Sequence, residues 1–298
     1  MFEITEKDSI FVKNKLMDFI KNIVEKSNSN GVIIGLSGGI DSSVVGYLLT
    51  ESLGKDKVFG YHLASSTTPK EDTEDARLMA KLLDIEYYEI FIDEIVDKYL
   101  EVFDIDNLIL DENNSKMDKY GSKNEKYEKL MEYKKLSDGN LKARIRMSIL
   151  YYFGNLKNSL VAGTGNRSEL LIGYFTKYGD GGCDFELIGD IYKTQLKKLA
   201  KYWNIPEQII YKPPRAALWD KQTDEDEIGF SYEVLDLLLH LIVDKKLKNV
   251  EIVDFINNSL DFDVKISIEQ IIELRNKIKN NEHKIESPKS PFNGIILI

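Results

Sequence analysis

The sequence predicts an α/β fold in which a parallel, Rossmann-like sheet is flanked by helices and followed by a helical C-terminal part. Short apolar runs alternate with segments of helical period in the N-terminal half. Two glycine-rich breaks, LSGGIDSS and VAGTGNRSE, each follow an apolar run directly. Ligands of parallel sheets bind at the carboxyl ends of the strands, so both breaks fall where a site is expected.

The individual elements follow from periodicity and from turn residues. Apolar residues from Ile10 to Val24 share one side of a helix, which SNSNG ends. GVIIGL then forms a short buried strand. The predicted elements are, in order, helix 10–24, strand 31–36, helix 42–53, strand 57–63, helix 71–83, strand 86–92, a helical segment at NLKARIRM and ILYYF, and strand 159–164.

Two regions depart from this alternation. Residues 111–138 are highly polar with weak periodicity, which predicts a mobile loop or a short solvated helix. After Pro213, acidic loops alternate with helix-like runs such as YEVLDLLLHLIV and SIEQIIELRNKI. Because we find no internal repeat and no clear linker, we expect a single domain spanning residues 1–298.

The composition excludes several classes of protein. The 298 residues are 43% hydrophobic and 30% charged, as in ordinary globular proteins. No run approaches the ~20 apolar residues that span a bilayer, and the start lacks the pattern of a signal peptide. A net charge of −10 argues against nucleic acid as a partner. The one cysteine, Cys183, excludes an internal disulfide and agrees with a cytoplasmic protein. The three histidines form no Cys/His cluster for structural zinc.

The segment SGGIDSS is suited to a polyphosphate. Gly38 and Gly39 let backbone N–H groups approach a ligand closely, and the N-terminus of the following helix favours an anion. Asp41 suits such a loop if a divalent cation lies between the carboxylate and the phosphates. The segment is not a Walker A loop, because it has no lysine. The alternative is an ordinary glycine-rich turn with a helix cap.

The loop also resembles a known family. SGGIDSS is similar to the pyrophosphate loop of the N-type ATP pyrophosphatases, whose fold is adenine nucleotide alpha hydrolase-like and whose members adenylate a substrate. Together with NLKARIRM, GYFTKYGDGGCD, DIYKTQ, KPP, QTDEDEIG and NEHKIESP, it closely resembles the ammonia-dependent NAD synthetases, from about residue 10 to residue 290. GYFTKYGDGGCD is the most specific of these segments.

The resemblance implies a ligase that makes NAD from nicotinic acid adenine dinucleotide (deamido-NAD), ATP and ammonia. The nicotinate carboxylate attacks the α-phosphorus of ATP, pyrophosphate leaves, and ammonia displaces AMP from the acyl-adenylate. Mg²⁺ is the implied cofactor, and a homodimer is the implied assembly. The chain has no room for a glutaminase domain, and Cys183 lies inside GDGGCD, so free ammonia is the expected nitrogen donor.

The same resemblance assigns residues to roles. Asp41, Glu169 and Lys193 are the implied catalytic residues, the first two as metal ligands. The implied ATP-binding residues are Gly35, Leu36, Ser37, Gly38, Gly39, Ile40, Asp41, Ser42, Thr164, Lys193 and Arg215. The implied deamido-NAD-binding residues are Arg144 with Arg146 nearby, Lys177, Asp184, and His283 and Lys284, the last two across a dimer interface. Weaker candidates are Ser65, beside the adenine, and Phe175, stacked on nicotinate.

Two positions depart from the family pattern. Arg215 follows KPP where the family has Ser or Thr, and Ala64 replaces a proline after the second strand. We predict that Arg215 belongs to a loop that closes on ATP, the alternative being that it faces solvent.

Two other functions compete with this one. The first is a different enzyme of the superfamily, such as a GMP synthetase domain or a tRNA thiolase. The second is a non-catalytic module that only binds adenine nucleotides; the presence of both Asp41 and Glu169 argues against it.

Overall fold

A five-stranded parallel sheet forms the centre of the protein. The computed structural model describes residues 3–103, 125–215, 219, 223–258 and 265–286. Its strands are β1 (Gly31–Gly35), β2 (Val58–Ala64), β3 (Glu86–Phe91), β4 (Ser159–Gly163) and β5 (Phe185–Glu186), and they lie in the order β3-β2-β1-β4-β5.

The helices come mostly between successive strands and after the last one. They are α1 (Glu6–Lys26), α2 (Ile40–Leu53), α3 (Lys70–Leu83), α4 (Asp93–Phe103), α5 (Glu125–Lys157), α6 (Arg167–Ile172), α7 (Lys193–Tyr202), α8 (Glu207–Ile210), α9 (Asp224–Ile228), α10 (Tyr232–Leu239), α11 (Asn249–Asn257) and α12 (Ile268–Ile285). A 3₁₀ turn precedes β2, and a π-helical turn, His240–Asp244, continues α10.

Strand β1 lies at the centre of the sheet and is buried on both faces. β1 pairs with β2 on one side and β4 on the other, with Ile33 opposite Phe59 and Val161. Val32, Ile33 and Ile34 are fully buried, because helices cover both faces of a parallel sheet. The carboxyl ends of β1, β2 and β4 therefore lie side by side at one edge, which is where LSGGIDSS and VAGTGNRSE begin.

A second apolar core lies under the C-terminal helices. α10 is buried around its circumference, and Leu235, Leu238 and Leu239 have no exposed surface. These leucines belong to one cluster with Ile172 of α6 and Tyr192, which precedes α7. The C-terminal layer is thus packed onto the elements that follow β4. No helix in the described ranges combines the length and the apolar character needed to cross a membrane.

The predicted α/β architecture is confirmed, with three differences. β5 was not predicted. Residues 125–138 begin the 33-residue helix α5 rather than forming a loop or a short helix, while residues 111–124 lie outside the described residues. Helix α1 begins at Glu6, before the predicted start, because Thr5 and Asp8 form a reciprocal capping box. The single domain over 1–298 stays a prediction.

Candidate active site

A cavity of about 620 Å³ opens at the carboxyl edge of the sheet. Its walls come from the ends of β1, β2 and β4, from α5, and from segments after β4. Of the residues that the sequence predicts for the site, those lining the cavity are Gly35, Leu36, Ser37, Gly39, Ile40, Asp41, Arg146, Thr164, Glu169, Phe175, Lys193, Arg215 and Lys284. Both predicted glycine-rich breaks therefore reach one cavity.

Close packing against α3 and hydrogen bonds within the loop fix the conformation of the loop after β1. Gly38 has φ of +81°, and a Cβ placed on it would lie 2.0 Å from the backbone oxygen of Asp72, so only glycine fits there. The Ser42 hydroxyl contacts the backbone N–H of Ser37 at 3.1 Å and donates to the oxygen of Gly39 at 3.2 Å. Gly38 and Ser42 do not line the cavity. Ser42 shapes the loop rather than facing the predicted ATP site.

The most concentrated charge in the site surrounds Lys193. Its buried Nζ donates to Oδ2 of Asp41 and lies 3.4 Å from Oε1 of Glu169. Asp41 is in the first turn of α2, Glu169 is in the first turn of α6, and Lys193 begins α7. Three helix N-termini thus meet at one point, where their partial positive charge favours the carboxylates.

Further polar groups hold these carboxylates. Asn166 caps α6 by accepting from the N–H of Glu169, and its Nδ2 donates to Oδ1 of Asp41 at 3.0 Å. The hydroxyl of Tyr232 lies 3.4 Å from Oε1 of Glu169 and 3.3 Å from Oδ2 of Asp224. Asn166, Tyr232 and Asp224 were not predicted, although the N-x-x-E spacing of a capping box marks Asn166 in the sequence.

The carboxyls of this cluster outnumber its cations. Asp41, Glu169 and Asp224 face one ammonium, that of Lys193. Desolvation raises the pKa values of Glu169 and Asp224 above those of ordinary carboxyls. Desolvation also opposes the charge on Lys193, but Asp41 and Glu169 outweigh it and raise the pKa of that ammonium. A further cation bound beside these carboxyls would therefore be electrostatically favourable.

The donors present fit Mg²⁺ bound together with a polyphosphate. Mg²⁺ prefers carboxylate oxygens and is held by one or two carboxylates together with waters and substrate phosphates. Asp41 and Glu169 supply two carboxylates on either side of Lys193. Within the described ranges no group of three or more His, Cys, Asp or Glu forms a protein-only metal site. The donor set agrees with an ion that depends on the substrate for its remaining ligands.

A second part of the cavity lies between α5 and the segment GYFTKYGDGG. Lys284 of α12 donates to the oxygens of Gly173 and Phe175, at 2.6 and 3.0 Å. Desolvation lowers the pKa of Lys284. It lines the cavity of its own chain, because α12 folds back onto α6. The predicted contact of His283 and Lys284 across a dimer interface stays a prediction.

Four of the predicted substrate-binding residues do not line the cavity. Nε of Arg144 donates to the oxygen of Lys177 at 3.3 Å, and the ammonium of Lys177 donates to the oxygen of His283. These three residues connect α5, the segment after α6, and α12. Asp184 accepts from the N–H of Val161 at 2.7 Å, so its carboxylate faces β4. Their role in substrate binding stays a prediction.

Arg215 lies on the cavity wall, paired with acidic residues of α3. It donates to Asp72, with Nε at 3.2 Å, and to Glu71. Lys212 of the KPP segment donates to Oδ1 of Asp72 at 2.9 Å and to the oxygen of Gly38 at 3.0 Å. Lys212 thus joins this segment both to α3 and to the loop after β1. The alternative that Arg215 points freely into solvent is wrong.

Comparisons with known proteins agree with this geometry. The model of the NAD synthase family matches residues 12–288. The chain is 44% identical over 280 residues to the NH(3)-dependent NAD(+) synthetase of Methanocaldococcus jannaschii, covering 94% of this chain and 96% of that protein. It is 46% identical over 232 residues to the synthetase of the same description from Archaeoglobus fulgidus, covering 78% and 83%.

Two solved structures are similar over almost the whole chain. The NH3-dependent NAD synthetase of Campylobacter jejuni, in complex with nitrate, gives a TM-score of 0.70 at 32% identity, covering 95% of this chain and 98% of that one. An NMN synthetase from Francisella tularensis gives a TM-score of 0.71 at 27% identity, covering 97% and 99%.

Proposed function

The chain belongs to the NAD synthase family, and we propose that it makes NAD from deamido-NAD, ATP and ammonia through an acyl-adenylate. The ligase class and the use of ammonia are those of its curated relatives. The observation that supports the proposal best is the placement of Lys193 between Asp41 and Glu169, at the mouth of a glycine-rich loop.

The first half-reaction needs charge neutralisation rather than a protein nucleophile. An oxygen of the nicotinate carboxylate attacks the α-phosphorus, and the bond to the leaving pyrophosphate breaks. Positioning and electrostatic stabilisation provide most of the catalysis in such transfers. The ammonium of Lys193 lines the same cavity as Ser37 and Gly39 and would stabilise the departing charge. The N–H groups of Ser37 and Gly39 donate to the hydroxyls of Ser42 and Ser37 within the loop. Mg²⁺ held by Asp41 and Glu169 would supply further neutralisation.

The second half-reaction transfers nitrogen. Ammonia attacks the acyl carbon, AMP leaves with the electrons of the acyl–oxygen bond, and the ammonium formed loses a proton to give the amide. Cys183 is an unsuitable glutaminase nucleophile because desolvation raises its thiol pKa well above the usual range. Free ammonia as the donor, a homodimeric assembly, a cytoplasmic location and one domain without a glutaminase are parts of this proposal.

An assay of NAD formation tests the function. The protein is mixed with deamido-NAD, ATP, MgCl₂ and ammonium chloride, and NAD and AMP are measured. Asp41→Asn should lower the rate by at least about 100-fold, by analogy with the loss of one electrostatic contact to a transition state. Asp18→Asn, an exposed change on α1, is the matched control and should keep wild-type activity.

Other substrates separate the competing functions. Glutamine in place of ammonium should give no NAD. Nicotinic acid mononucleotide in place of deamido-NAD tests the activity of the Francisella relative, and preferred turnover of the mononucleotide would replace the proposed substrate. ATP binding without pyrophosphate release with any acid would instead show a module that only binds nucleotides.

A further inference from the structure

Arg146 is a cation on the cavity wall. The family resemblance places it only near the deamido-NAD-binding residues and gives it no contact of its own. Arg146 lies on α5 and is partly buried. Its Nε donates to the backbone oxygen of Leu63 at 2.8 Å, and its Nη2 donates to the hydroxyl of Ser65 at 3.2 Å. These two bonds hold the guanidinium at the carboxyl end of β2, beside the end of β1.

The two bonds leave part of the guanidinium unused. It carries five N–H donors in a fixed plane, and the contacts with Leu63 and Ser65 use only two of them. Among the described residues no carboxylate lies within 4.0 Å of Arg146, whereas Lys193, Lys212 and Arg215 on the same cavity each pair with two. The free donors include both on Nη1, so the planar end of the group is available to the cavity.

Burial without a close counter-ion has an electrostatic cost. Desolvation lowers the pKa of Arg146 to about 10, and the carboxylates of Asp180 and Asp93 act only from a longer distance. A partly desolvated cation of this kind is stabilised when an anion binds it. A guanidinium with a free planar edge binds a carboxylate or a phosphate through two parallel hydrogen bonds to two of its oxygens.

We propose that Arg146 binds an oxyanion of the two reacting groups, either the carboxylate of the substrate acid or the α-phosphate of ATP. The inference rests on the proposed function. Arg146 lies between the strand end that carries Ser65 and the GYFTKYGDGG segment that carries Asp180 and Phe175, and all of these border the cavity or contact its wall. Arg144 bonds to the surface segment at Lys177, so Arg146 is the arginine of NLKARIRM that lines the cavity.

Binding measurements with matched pairs of ligands test this inference. Isothermal titration gives dissociation constants for deamido-NAD against NAD, which differ by carboxylate and carboxamide, and for AMP against adenosine, which differ by the α-phosphate. The variants are Arg146→Gln and Arg146→Lys, with Lys142→Gln on the same helix as control. Thermal unfolding checks that each variant is folded. If Arg146→Gln does not fold, the comparison is made with Arg146→Lys alone.

In Arg146→Gln we expect a loss of affinity for only one of the two ligands in one of the pairs. Removal of a charged hydrogen-bonding partner should weaken the binding of that ligand by at least about tenfold. If deamido-NAD loses affinity and NAD does not, the oxyanion is the carboxylate; if AMP loses affinity and adenosine does not, it is the α-phosphate. Arg146→Lys should lose less than Arg146→Gln, because a single point charge replaces the planar edge.

Two results would overturn the inference. One is unchanged affinity for all four ligands in Arg146→Gln. The other is an equal loss for both members of each pair, which would mean that Arg146 only supports the structure at Leu63 and Ser65. A wild-type protein that binds these ligands but makes no NAD would contradict the proposed function instead, so the two failures are distinguishable.

Discussion

Replacing Gly38 by alanine tests whether the loop after β1 depends on close packing against α3. Gly38 has φ of +81°, and an added Cβ would lie 2.0 Å from the backbone oxygen of Asp72, although real Cβ atoms essentially never come closer than 3.0 Å. Either the loop or the start of α3 must therefore withdraw by about 1 Å. Gly54 is the matched control, because it has φ of +83° and nothing within 4 Å of the added atom.

The two substitutions separate backbone strain from steric overlap. A non-glycine residue in the left-handed region costs roughly 1–2 kcal/mol, which both variants incur. Overpacking adds typically 1–3 kcal/mol, which only Gly38→Ala incurs. We therefore expect the free energy of unfolding to fall by about 1–2 kcal/mol in Gly54→Ala and by about 2–5 kcal/mol in Gly38→Ala.

The functional effect should differ even more. A displacement of about 1 Å at a reacting group can cost on the order of 100-fold in rate, so kcat/KM for ATP should fall by about that factor in Gly38→Ala. Gly54 lies at the far end of α2 from the cavity, so Gly54→Ala should keep its activity. Urea unfolding and steady-state kinetics on both variants provide the test. Equal stability losses together with unchanged kcat/KM for ATP in Gly38→Ala would refute the reasoning.

Three further predictions concern charged residues. Lys193→Met removes the ammonium between Asp41 and Glu169, so kcat for NAD formation should fall by about 10²–10³-fold; a loss below tenfold would contradict its proposed role. Arg215→Ala should raise the KM for ATP several-fold, and an unchanged KM and kcat would show that Arg215 does not act on ATP. Burial raises the pKa of Glu186 to about 7, so its contribution to stability is full below pH ~4.5 and is lost as the pH rises through about 7. Glu186→Gln should therefore match the wild type near pH 4.5 and exceed it by up to about 3 kcal/mol at pH 8; urea unfolding that shows no pH-dependent difference would count against this.

The sequence predicts the long elements of the fold better than the short ones. β1 and β4 are continuous apolar runs ended by glycine, so both their existence and their carboxyl ends could be predicted. β5 could not, because it has only two residues, Phe185–Glu186, and exists through its pairing with β4. The polar start of α5 gave no periodic signal either. That helix continues from its buried part, where Ala143 and Ile145 pack, into a segment supported by pairs such as Lys134 with Asp138.

The sequence also suggests which residue types belong in the site, but not all the positions that face it. Arg144 and Arg146 are two residues apart, so their side chains point about 200° apart around α5. The rotation of α5 about its axis decides which of them lines the cavity. Ile145 fixes that rotation by packing with Ile33 and Val161 on one face of the sheet. Because Ile33 lies more than a hundred positions before Ile145 in the sequence, the motif NLKARIRM does not reveal that Arg146 is the arginine that lines the cavity.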